Sequence, residues 1–322
     1  MKTRNRFTTL LAVGIVLTLF SACLLVARGE DNAAAKPKSV LADLEKAKNR
    51  VLPGIQLAYH FTPGEVVRTK VVHLATVETK IKGTAQTTKS RTVSTRAWRI
   101  REIDASGNIT FDNLVERLEM WNGVEGREEV HYDSETDKTP PAEFAAVAAS
   151  VGKVLATITI DPSGRIVSRQ NAQPHYNPGI GELTVPFPPV DKQPVKPGMT
   201  WAIGDELRLP SEDGTVKKVQ TQQSYKLEKV EAGVATISVA TIVLTPINDP
   251  KLQSQIVQRL QKGTIKFDVD AGRLLHKQLD IDEQVFGFSG PESHMQYLAR
   301  FTEELVKEPA TAKAGGGSAQ KR

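Results

Sequence analysis

Histidine, carboxylate and cysteine side chains build most catalytic and metal centres, and this chain spaces them widely. Its histidines, His60, His73, His131, His175, His276 and His294, never pair at the spacing of metal ligands. There is no His-Glu-x-x-His zinc helix and no Gly-x-Ser-x-Gly turn to present a serine nucleophile. No glycine-rich phosphate loop stands between a strand and a helix. Asp133, Glu135 and Asp137 alternate as calcium-loop ligands would, but the turning glycine and closing Glu do not follow in place. With Glu128 and Glu129 they read as the solvated charge of a loop. On these grounds no catalytic, cofactor-binding or metal-ligating residue is assigned, and no cofactor is expected.

Other residues invite a chemical reading and receive a structural one. Gly164-Arg165 and Gly272-Arg273 each place a glycine in a turn and an arginine at a strand start, a pattern read as turn geometry rather than a ligand clamp. Trp98, Trp121 and Trp201 read as core or core-edge aromatics rather than a sugar platform. Lys80, Lys82, Lys89, Arg91, Arg96, Arg99 and Arg101 recur along neighbouring strands. They read as an ordinary solvent face; the alternative is one positive sheet face suited to anionic envelope surfaces.

The elements that hold these residues are mostly strands. Thr264 to Asp280 alternates, turns at Asp270-Ala271-Gly272 and alternates again, as a β-hairpin does. A near-copy lies upstream at Thr157 to Gln170, where Gly164 to Gln170 aligns with Gly272 to Gln278. Other correspondences keep the same order. The turn Thr62-Pro63-Gly64-Glu65 matches Lys196-Pro197-Gly198-Met199. The Trp98 strand, its turn at 104–108 and the strand from Ile109 match Gln223–Val230, Glu231-Ala232-Gly233 and Ala235–Leu244. An alanine-dense helix, Ala142–Ala149, and a helical stretch, Pro250–Lys262, each precede a Gly-Arg hairpin. The chain therefore reads as one architectural unit present twice.

The expected fold is mainly β, a β-rich α+β class: two similar halves, each a curved antiparallel sheet with one short helix, preceded by an N-terminal apolar helix. The first half spans 51–172 and opens with a strand, Ile55–Phe61. Residues 173–197 form a proline-rich connector laid across the surface. The second half spans 198–305, and 306–322 is a glycine-rich disordered tail. Whether the halves are separate domains or one continuous sheet stays open.

The N-terminus addresses the protein. Lys2, Arg4 and Arg6 precede an apolar run from Leu10 to Ala27, the arrangement of a secretory signal. The run is also just long enough to cross a bilayer core of roughly 30 Å. Residues 1–35 are thus a cleaved signal peptide or a retained anchor, with lipidation at Cys23 a third fate, and 36–50 a spacer. Cys23 is the only cysteine, so a mature chain without it holds no disulfide and no thiolate site. The net charge of +5 includes four basic and two acidic residues in the first 35. A nearly balanced remainder, without a Lys/Arg block interleaved with aromatics, gives no nucleic-acid signature.

The signal-like N-terminus, the duplicated halves and the linker Pro186-Phe187-Pro188-Pro189-Val190 through Pro197-Gly198-Met199-Thr200-Trp201 resemble a group of exported bacterial proteins found in planctomycetes and related lineages. The resemblance covers about residues 50 to 305 and implies export, with no known activity and no site residues to carry over.

The function expected from these features is a non-enzymatic cell-envelope protein, periplasmic, extracellular or membrane-attached. Its curved sheets would enclose an apolar groove for a lipid-like ligand. The alternative is a structural or protein-interaction module anchored through residues 10–27 and offering sheet edges to an envelope partner. A hydrolase with scattered catalytic residues is the third reading.

Overall fold

Long runs of Thr and Val with alternating polar neighbours suit strands that are dry on one face and wet on the other. In the computed structural model, which describes residues 54–173, 184–211 and 214–307, they form a single antiparallel sheet of twelve strands. The apolar run 10–27, the spacer, part of the connector and the tail lie outside the described residues. Among the described residues no helix is long and apolar enough to cross a membrane.

The first half supplies β1 (Val66–Ile81), β2 (Thr84–Ile103), β3 (Ile109–Val124), β4 (Val130–Asp133), the single-turn helix α1 (Ala145–Ala148), β5 (Val154–Ile160) and β6 (Ile166–Asn171). The second supplies β7 (Thr200–Pro210), β8 (Val216–Glu231), β9 (Val234–Val243), α2 (Pro250–Ile256), β10 (Lys262–Asp268), β11 (Arg273–Phe286) and β12 (His294–Leu305). Apart from β4 and β12, both halves run strand, strand, strand, helix, hairpin. The mainly β class and the paired halves are as expected. The short strand β4 falls in a stretch whose turn-rich composition reads as loop.

Across the sheet the order is β6-β5-β3-β2-β1-β12-β11-β10-β9-β8-β7, with β4 beside β3. The question of two sheets or one is decided by β12. It pairs β11 on one side and β1 on the other, setting Ala75 opposite Ala299 and Val71 opposite Glu303. The inner edge of each half is thereby consumed, since an unpaired row of N–H and C=O groups is costly to leave bare beside a partner.

The core draws on both halves. Ile100, Phe111 and Ile158 pack in one cluster with Tyr225, Ile237, Ile265 and Phe267. Two extended segments outside the main ladder run into it, and both correct the expectation. Ile55–Phe61 is a buried strap rather than a paired strand. Its Tyr59 N–H donates to Pro162 O at 2.8 Å and its His60 N–H to Gly272 O at 3.0 Å. The two Gly-Arg hairpins therefore dock on one strap. Of the described connector, 184–187 and Val195 are buried, including Thr184, Val185 and Phe187, while 190–194, 196 and 197 are exposed, so only part of it follows the surface as expected. Its prolines carry no N–H to satisfy, so the segment enters an apolar core at little polar cost. Phe187 lies 4.7 Å from Phe267 and 5.6 Å from Tyr59, centroid to centroid, and its N–H donates to Ser163 O at 2.8 Å.

The second helix is fixed by local chemistry. Asp249 caps α2, its Oδ1 accepting from Lys251 N–H at 2.8 Å, and Pro250 occupies the first turn, where its missing donor costs nothing. Leu252 and Ile256 then pack against Leu209 and Val219. This places the turn after α2, Val257–Gln261, over the middle of the sheet's concave face.

Candidate functional site

The period-two geometry of strands sends alternate side chains to the concave face. In β1 these are Thr69, Val71 and His73; in β2, Thr92, Ser94 and Arg96; in β12, Tyr297, Ala299, Phe301 and Glu303; in β11, Lys277, Leu279 and Ile281. The apolar members floor a groove of about 350 Å³, and Gln258, Arg259 and Gln261 from the turn after α2 overhang it. That volume lies at the small end of the range for ligand sites, about 300–1,000 Å³. Burial pushes the Tyr297 hydroxyl above its ordinary pKa, so it stays a neutral donor and acceptor at the groove wall.

Behind the groove, on the same face of the sheet, lies a buried ion pair. Lys277 Nζ lies 2.7 Å from Glu303 Oε2, and Thr69 Oγ1 donates to Glu303 Oε1 at 3.0 Å. The Phe301 ring on the floor is bordered by cations, Lys277 Nζ 5.2 Å and Arg96 Cζ 5.9 Å from its centroid. The His73 ring lies 6.5 Å away.

Arg96 differs from the other basic residues of its strand. Arg91, Arg99 and Arg101 share the opposite parity and face the convex side. There Arg91 pairs with Glu119 at 2.5 Å, Arg99 with Glu116 at 3.7 Å and Arg101 with Asp112 at 2.8 Å. Arg68 of β1 joins the same Glu116 at 2.7 Å. Carboxylates of β3 thus neutralise these arginines from across the strand, and the alternative of a single positive sheet face does not hold for them. Among the described residues, no carboxylate lies within ion-pair distance of Arg96.

The residues singled out in the sequence are dispersed. His73 lines the groove. His276 lies 3.3 Å from Glu304, His131 is 4.0 Å from both Glu119 and Asp137, and His294 stacks on Phe286 at 4.6 Å. His175 lies outside the described residues. The acidic loop is filled from within. Asp133 Oδ1 accepts from Glu135 N–H at 2.9 Å, its Oδ2 receives Arg117 Nη2 at 2.9 Å, and Asp137 Oδ2 accepts Asp133 N–H at 2.7 Å. Among the described residues no group of three or more His, Cys, Asp or Glu side chains is arranged to hold a metal ion.

Both Gly-Arg turns are structural. Arg165 is exposed, while Arg273 Nη1 lies 2.7 Å from Glu65 Oε1 and its guanidinium sits 5.8 Å over Phe61. Two of the three tryptophans are core aromatics. Trp98 stacks on Phe111 at 4.4 Å and Trp201 on Tyr225 at 5.6 Å. Trp121 sits at the periphery, its Nε1 donating to Glu129 at 3.1 Å. The sequence reading expects an apolar groove but does not name the residues that line it. Their signal was the even-numbered parity that Arg96 shares with Ser94 and Trp98.

No protein-family model matches the chain, and no curated protein matches it. Among solved structures it is similar to lipovitellin, in a structure concerned with lipid–protein interactions, at 14% identity and a TM-score of 0.41. That overlay covers 79% of this chain and 27% of lipovitellin's, so the chain spans about a quarter of that protein's length. DynF from the dynemicin biosynthesis pathway of Micromonospora chersina overlays at 8% identity and a TM-score of 0.20, over 81% of this chain and 92% of its own. Neither overlay is close enough to carry an argument about this chain.

Proposed function

We propose that this is an exported, non-enzymatic cell-envelope protein that binds a small lipid-like ligand against the concave face of its sheet. The observation that carries the reading is the groove of about 350 Å³ floored by Val71, Leu279, Ile281, Tyr297, Ala299 and Phe301. The floor is apolar and the walls are polar in about equal share, a make-up that suits a small ligand with an apolar body and a polar end. Export rests on the basic residues and apolar run of the N-terminus, with residues 10–27 as the membrane attachment if they are retained.

The test is a calorimetric titration of the full chain with decanol. Saturable binding of one molecule is expected, and it disappears in Ala299→Trp, whose indole fills the groove floor. Ala299→Trp must keep the wild-type circular dichroism spectrum for that loss to count. A wild-type protein that fails to saturate overturns the reading. Native mass spectrometry of protein from its own membrane and soluble fractions tests the address. A species lacking residues 1–35 supports a cleaved signal, and an intact membrane-bound one supports an anchor.

A second reading, an anchored interaction module, is favoured by the outer edge of the sheet. The edge strand β6 leaves Ile166 and Val167 48% and 59% exposed, one on each face, and among the described residues no strand pairs its outer side.

A further inference from the structure

We infer that the groove's ligand is an anionic amphiphile whose head group is received by Arg96. This rests on the proposed binding role of the groove and adds the chemical class of what enters it.

Four arginines of β1 and β2, Arg68, Arg91, Arg99 and Arg101, are matched on the convex face by carboxylates of β3. On the concave face the buried lysine is matched too, with Lys277 Nζ 2.7 Å from Glu303 Oε2. Arg96 breaks the pattern. It is half-buried and lines the groove, and its partner is the face of Phe301 rather than an anion. A guanidinium over a ring gains a modest attraction and keeps its in-plane N–H donors for another group. Ser94 and Thr92 add hydroxyls on the same strand and face, and Arg259 and Gln261 reach the groove from the overhang.

Geometry then gives the ligand a direction. Arg96 pairs in register with Thr69, whose hydroxyl donates to the buried Glu303, and so stands at the end of the groove nearest that ion pair. From there the floor becomes apolar through Phe301, Ala299 and Ile281 to Tyr297. A strand advances about 3.3 Å per residue, so Phe301 and Tyr297, the ends of the floor on β12, lie about 13 Å apart. Such a floor matches an extended chain with its anionic head at Arg96. Glu303 does not repel that head as a free carboxylate would, because Lys277 accompanies it. A carboxylate and a phosphate ester share the chemistry that would be recognised, an oxyanion able to take two N–H donors from one guanidinium.

The experiment compares decanoate with decanol on the full chain at neutral pH, in the wild type and in Arg96→Gln. The two probes share a tail and differ in the head. The wild type is expected to bind decanoate at least tenfold more tightly than decanol, as a charge-assisted hydrogen bond supports. Arg96→Gln is expected to bring the two within twofold, and an unchanged circular dichroism spectrum and melting temperature show that the variant is folded. Decyl phosphate, with the same ten-carbon tail, replaces decanoate in a second titration to separate the two oxyanion sources. Equal wild-type affinities for decanol and both anions overturn the inference and leave the groove reading standing. A preference that survives in Arg96→Gln overturns the role of Arg96. Failure of all three probes to saturate overturns both the inference and the reading beneath it.

Discussion

Lys277 and Glu303 stand opposite each other on β11 and β12, their charged atoms 2.7 Å apart and their side chains only 1% and 4% exposed. A pair so far from water is held by mutual attraction against a large desolvation cost, so removing one partner strands the other. Lys277→Met is expected to lower unfolding free energy by about 3–5 kcal/mol in urea titrations. The double change Lys277→Met with Glu303→Leu is expected to recover most of that loss. A single change that costs under about 1 kcal/mol would mean that water reaches Glu303.

The two hairpin glycines are required for two reasons at once. Gly272 has φ +62°, and a Cβ there would meet His60 N at 2.5 Å; Gly164 has φ +81°, and a Cβ would meet Tyr59 Cε2 at 2.5 Å. Gly152, at φ +76°, has open space around it. Gly152→Ala is expected to cost about 1–2 kcal/mol through backbone conformation alone. Gly164→Ala and Gly272→Ala should each exceed it by about 1–3 kcal/mol, the cost of overpacking against the strap. Equal losses at all three positions would show that the strap moves aside freely.

Asp133 supplies a pH dependence. Glu135 N–H and the Arg117 guanidinium hold its carboxyl below the ordinary aspartate range. A depressed folded-state pKa contributes stability in full above the unfolded value of about 3.9, and that contribution disappears as pH falls through the lower folded value. The gap in melting temperature between wild type and Asp133→Asn is therefore expected to be widest near neutrality and to close in acid. A gap that is constant with pH would remove Asp133's charge from the account.

A duplicated chain invites the expectation of two independent unfolding events, and the sheet argues against it. Because β12 joins the halves and the main core takes residues from both, thermal unfolding is expected to be one transition, with far- and near-ultraviolet circular dichroism coinciding. Two separated transitions would show that each half stands alone.

Local chemistry made much of the fold legible. The turns at Pro63-Gly64, at 104–108 and at Gly272 punctuate alternating runs, and Asp249-Pro250 marks a helix start. The strap and the buried connector were not legible. Ile55–Phe61 alternates as a strand does, and only the arrival of both glycine turns makes it a strap. Phe187 sits among prolines that read as surface until its aromatic partners, Tyr59 and Phe267, come from distant segments. Arg96 was read as one of a row of basic residues. Its parity with Ser94 and Trp98 sets it apart, but which face is concave depends on pairing that no local pattern encodes.

The pairing of β1 with β12 has a consequence for how the molecule is made. Thr69 and Glu303, joined by a hydrogen bond across that seam, are 234 positions apart. A chain synthesised from its N-terminus has β1 long before β12, and contacts of such separation form late. Until His294–Leu305 emerges, β1 and β11 carry bare edges that only this last strand covers. Completion of the sheet is thereby tied to synthesis of β12: a product cut short before it lacks the seam, half the groove floor and Glu303 opposite Lys277, and leaves β1 and β11 with exposed edges.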